Sequence, residues 1–102
     1  GGGATAVPER VEAALGCLPG LVGLLVVGLP APEWGQRLFG LVEPAPGTKG
    51  NALLERLRQL SYGLPAAQRP KLWQICQELA TNPEGKWQRK HWQAWLQSNQ
   101  SG

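Results

Sequence analysis

The chain has 102 residues, of which 42% are apolar and 17% charged, and ten basic against seven acidic residues give a formal charge of +3. That is the length of one ordinary domain, apolar enough to bury a core and too hydrophobic to remain unfolded. Its longest apolar run, residues 15–29, is broken by Gly16, Pro19, Gly20, Gly23 and Gly28 and falls short of the ~20 residues a bilayer span needs. Cys17 and Cys76 form no CxxC and read as reduced thiols acting as small hydrophobes.

Residues 1–7 read as an unstructured N-terminal segment or a cloning remnant, residues 8–97 as a single helical domain and residues 98–102 as an unstructured tail. Pro8 suits the first position of a helix, and Val11, Ala14, Leu15 and Leu18 share one face before Pro19-Gly20 ends it. Residues 21–27 are apolar on every side, so periodicity alone separates neither a buried helix from a buried strand. We read them as helix, with a short strand as the alternative, because a strand needs a partner and no other segment alternates convincingly. Pro32-Glu33 then opens a third helix with Trp34, Leu38, Leu41 and Val42 on one side.

Residues 43–50, EPAPGTKG, form a loop that separates two halves of different character. Residues 1–50 hold three basic and four acidic side chains, a charge of −1; residues 51–102 hold seven and three, a charge of +4. Asn51 caps a helix that turns Leu53, Leu54, Leu57 and Leu60 inward and stops at Gly63. A turn over residues 64–68 leads to Pro70, which opens a helix with Leu72, Ile75, Cys76, Leu79 and Ala80 as its apolar stripe. Asn82-Pro83-Glu84 supplies a cap, a first-position proline and an acid for the last helix, residues 83–97. The predicted fold class is therefore all-α, a compact bundle of five or six short helices around one core.

Catalytic readings find little to work with: there is no aspartate, one histidine, and serine only at positions 61, 98 and 101, without a GxSxG elbow. One His and two isolated Cys offer no metal site, and no cofactor is expected. Gly20, Gly23 and Gly28 do not make GxGxxG, and Gly47-Thr48-Lys49-Gly50 lacks the ending of a phosphate loop.

The final helix is the most informative stretch. Trp87, His91, Trp92, Ala94, Trp95 and Leu96 cover one arc, and Lys86, Arg89, Lys90, Gln93 and Gln97 gather opposite. The expected arrangement packs the indoles on the core and turns the cations outward. Tryptophan and arginine dominate interface energetics, so Lys86, Arg89, Lys90, Trp92 and Gln93 are the expected partner-binding residues. The expected function is that of a non-catalytic, soluble, intracellular adaptor domain that docks another protein through this helix. Nucleic-acid binding through the basic second half is the alternative, ahead of attachment to a membrane surface. Self-association through the glycine-rich first half is a further expectation.

Overall fold

In the computed structural model the chain is an α/β protein, not an all-α bundle. The structure describes residues 7–32, 35–76, 79 and 86–100, with side chains in the last segment over residues 89–98. Among them, the element order is α1 (Pro8–Leu15), β1 (Leu21–Pro30), β2 (Gln36–Pro44), α2 (Gly50–Ser61), a 3₁₀ turn at Ala66–Gln68, β3 (Leu72–Ile75) and α3 (Lys86–Gln100).

The three strands form one sheet in the order β1-β2-β3. β1 and β2 are antiparallel, with Val26 opposite Gly40 and Val27 opposite Phe39. β2 and β3 run parallel, with Phe39 opposite Leu72 and Val42 opposite Ile75. Parallel neighbours need a crossover, and α2 provides it. Gly20, at φ +88°, takes the left-handed turn into β1, and its carbonyl accepts the amide of Ala45 at 2.8 Å.

Both faces of the sheet are covered. On one, Val26, Leu38 and Val42 pack with Val11 and Leu15 of α1 and with Leu53 and Leu57 of α2. On the other, Val27 and Phe39 pack with Leu96, Trp92 and Trp95 of α3, and Leu41 with Cys76, Leu79 and Trp92. The Trp73 indole packs against Gly40, its register neighbour, so closely that a Cβ there would clash with the ring.

Three expected helices are thus strands. Residues 21–27 are apolar on every side because they belong to β1, whose Val26 and Val27 are buried on opposite faces of the sheet while Val22 stays exposed, which leaves no alternation to see. Leu38, Leu41 and Val42, expected on one helical face, are divided by the pleat of β2: Leu38 and Val42 meet α1 and α2, and Leu41 meets α3. The helix expected from Pro70 gives way to β3, whose main chain pairs with β2 from Lys71 onward. α1 begins at Pro8 as expected but ends at Leu15, before Leu18; α2 begins at Gly50 with Lys49 rather than Asn51 at its N-cap, and buries Leu53 and Leu57 while Leu60 stays exposed; α3 continues to Gln100, past the expected end at Gln97. Residues 1–6 of the expected unstructured leader and the last two residues of the expected tail fall outside the described residues, as do Trp34 and residues 80–85, whereas Val7 is the N-cap of α1. No helix among the described residues is long and apolar enough to cross a membrane.

Candidate functional site

The end of the sheet where β2 begins carries a concentration of positive charge. After α2 the chain makes its 3₁₀ turn, buries Ala67 and Pro70, and enters β3 with the Lys71 amide donating to the Leu38 carbonyl at 2.8 Å. That junction leaves a cavity of about 270 Å³ lined by Gln36, Arg37, Leu38, Ala67, Arg69, Pro70 and Lys71. Its apolar lining is Leu38, Ala67 and Pro70; its polar lining among the described residues is three cations and an amide.

Arg69 is fixed from behind. Its Nε donates to the Leu64 carbonyl at 2.8 Å and its Nη2 to the Tyr62 carbonyl at 3.4 Å, with the guanidinium carbon 5.8 Å from the Tyr62 ring centroid. Ordering a guanidinium beforehand lowers the entropy lost when it later engages an anion. Lys71 is exposed and presents a compact, mobile charge. Two guanidinia and an ammonium around one cavity suit an anion carrying several charges, and guanidinia match phosphate oxygens in geometry. Among the described residues that line it, the chemistry offered is that of binding and orienting an anion.

The five residues expected to bind a partner are placed differently from one another. Arg89 donates through Nη2 to the Glu12 carboxylate, 2.9 Å from Oε2, and through Nη1 to the Val26 carbonyl. Gln93 Nε2 donates to the Gly28 carbonyl at 3.0 Å. Trp92 is half-buried against the sheet and meets Trp95 edge to face, with ring centroids 5.4 Å apart. Lys90 is exposed, and the side chain of Lys86 lies outside the described residues. The helical stripe that meets the sheet is therefore Arg89, Trp92, Gln93 and Leu96, a mixed polar and apolar row at positions i, i+3, i+4 and i+7. His91, expected among the packed aromatic residues, is exposed.

Sequence reading counted Arg69 and Lys71 only within the general basic surplus and missed Arg37. The usable signal was local: Arg69-Pro70-Lys71 sets two cations about a residue that cannot continue a helix. Cys76 is buried, and burial first, then the nearby Glu43 carboxylate, pushes its thiol pKa up. Glu43 in turn accepts the Leu79 amide at 2.9 Å, so this pair belongs to the interior and not to a nucleophile site. Among the described residues no cluster of three His, Cys, Asp or Glu could hold a metal ion.

Residues 10–86 match the family model described as AMP-binding enzyme C-terminal domain. A medium/long-chain-fatty-acid–CoA/3-oxocholest-4-en-26-oate–CoA ligase of Mycobacterium marinum is 37% identical over 89 residues, which are 83% of this chain and 15% of that protein. A feruloyl-CoA synthase of Amycolatopsis sp. is 34% identical over 87 residues, 83% of this chain and 17% of that protein. The crystal structure of a Brucella canis acyl-CoA synthetase superposes with a TM-score of 0.73 at 32% identity, covering 91% of this chain and 18% of that one. The chain spans about one sixth of the length of these curated relatives.

These likenesses overturn the expectation of a non-catalytic adaptor with a protein, nucleic acid or membrane as partner, or with a second copy of itself. The proteins that resemble this chain are a fatty-acid–CoA ligase, a feruloyl-CoA synthase and an acyl-CoA synthetase. The sparse catalytic apparatus reflects a segment matching only a sixth of such an enzyme, and it is no sign of a docking module. With a family model matched over three quarters of its length and with the mixed sheet of a solved synthetase, this chain belongs to the AMP-binding enzyme C-terminal domain family.

Proposed function

We propose that this chain serves an acid–CoA ligase, in which a carboxylic acid is activated with an adenine nucleotide and then joined to the thiol of CoA. The reading rests on the family match and on the names of the relatives, which pair AMP binding with CoA ligation. Within it, the cavity of Arg37, Arg69 and Lys71 takes phosphate groups of the nucleotide portion of CoA. The observation that carries this assignment is the convergence of three cations, without an acid, on one cavity of about 270 Å³. A CoA molecule brings both a diphosphate and a ribose phosphate, the multiply charged anion such a cavity favours. Of the residues expected on α3, Lys86 and Lys90 remain proposed contacts to the same class of anionic substrate, whereas Arg89, Trp92 and Gln93 are engaged with the sheet.

The test places this chain in the Mycobacterium marinum ligase in exchange for the matching segment and introduces Lys71→Glu. Reversing one charge at a phosphate should raise the KM for CoA roughly tenfold, the equivalent of about 1.4 kcal/mol. Exchange of pyrophosphate into ATP, which reports the activation of the acid alone, should be unchanged. An unaltered KM for CoA removes the cavity from the assignment.

A further inference from the structure

Among the described residues β1 has a single strand neighbour, β2, and no strand pairs with its other edge. It runs for ten residues, Leu21–Pro30, and is largely aliphatic, the kind of edge that invites pairing with another chain. Which main-chain groups face that edge follows from the ladder. The amides of Lys71 and Cys76 donate to the carbonyls of Leu38 and Val42, so the even-numbered residues of β2 turn their main chain toward β3. Their partners in β1 include Val26, opposite Gly40, and Gly28, opposite Leu38. Those two residues therefore direct their main-chain groups to the open edge.

Three of these groups, the amide and carbonyl of Val26 and the carbonyl of Gly28, are engaged by side chains. The Val26 amide donates to Glu12 Oε2 at 2.7 Å, and the Val26 carbonyl accepts from Arg89 Nη1. The Gly28 carbonyl accepts from Gln93 Nε2 at 3.0 Å. At Pro30 the strand has no amide to offer. Glu12 comes from α1 on one face of the sheet and Arg89 from α3 on the other, and the two close on each other around the edge at 2.9 Å.

We infer that Glu12, Arg89 and Gln93 form a plug at the middle of the open edge of β1, holding three of the main-chain groups through which a second copy of the strand would pair. The device substitutes side-chain acceptors and donors for a fourth strand. It also explains why polar residues occupy the sheet-facing stripe of α3, a place that an apolar contact alone would fill with aliphatic side chains. The ion pair keeps the plug in place, since each partner would otherwise leave the other partly buried and uncompensated.

The experiment compares the chain with Glu12→Gln and with the double variant Glu12→Ala/Arg89→Ala, by light scattering across a concentration series and by amide hydrogen exchange. Glu12→Gln keeps an acceptor for Val26 and should scatter like the parent. The double variant should gain mass with concentration, up to twice that of the parent, and its Leu24, Val26 and Gly28 amides should become more protected as it does. A folded double variant whose mass does not change, or that associates without protection in β1, overturns the plug. Should the double variant not fold, the parent chain decides. Its Val26 amide should exchange within about tenfold of the rate of Val27, which pairs inside the ladder. Exchange at the rate of an open edge overturns the inference.

Discussion

Glu12 and Arg89 stand 77 positions apart in the chain and meet at 2.9 Å over the peptide of Val26. The contact links the first helix to the last across the strand between them. Both side chains keep some exposure, 21% and 27%, so the pair is screened more than a fully interior one. Removing the guanidinium still strands the Val26 carbonyl and the Glu12 carboxylate. Arg89→Ala is expected to lower unfolding stability by about 1–3 kcal/mol, read from urea denaturation. Arg89→Lys should recover only part, because an ammonium cannot reproduce the fork that reaches carboxylate and carbonyl together.

Gly40 is required by the indole laid over it. A methyl group there would occupy the space of the Trp73 ring, and the tryptophan is wedged between the sheet and the first hydrophobic cluster. Gly40→Ala should cost about 1–3 kcal/mol by overpacking and shift the tryptophan fluorescence toward that of a more exposed indole. Gly40→Ala combined with Trp73→Leu should recover much of the loss, since the bulk added on one strand is removed from its neighbour.

Cys76 gives the fold a pH dependence at the alkaline side. Burial, and then Glu43, raise its pKa above the ordinary value of 9.0, so the folded state holds the thiol proton more tightly than the unfolded state. The corresponding stability is fully present below pH 9 and is lost as pH rises through the raised pKa. Thermal melts above pH 9 should therefore fall more steeply for the parent chain than for Cys76→Ala, while the two curves run parallel near neutrality. Parallel curves throughout would remove Cys76 as the cause.

The helices were legible in the sequence, and the sheet was hidden by its own burial. Pro8, and Leu53 and Leu57 of α2, carry their information locally, in a first-position proline and in a 3.6-residue period. β1 is covered by α1 on one face and α3 on the other, so both of its faces are apolar and a period of two never appears. In β2 the spacing of Leu38, Leu41 and Val42 imitates a helix by coincidence, and β3, at four residues, is too short to show any period. The expected site failed for a related reason. Polar residues on an amphipathic helix were assigned to water, yet Arg89 and Gln93 face the sheet because a strand edge offers main-chain groups to bond. The basic cavity gathers residues 37, 69 and 71, brought together only by the parallel pairing of β2 with β3.

Function rests most directly on whether this chain can stand in for the corresponding part of a ligase. The decisive measurement is acyl-CoA formation by the Mycobacterium marinum ligase in three forms: whole, lacking the segment that matches this chain, and with this chain in its place. The shortened enzyme should be inactive and the exchanged enzyme should form acyl-CoA from fatty acid, ATP and CoA. An exchanged enzyme that folds and binds its substrates but forms no acyl-CoA would contradict the ligase assignment.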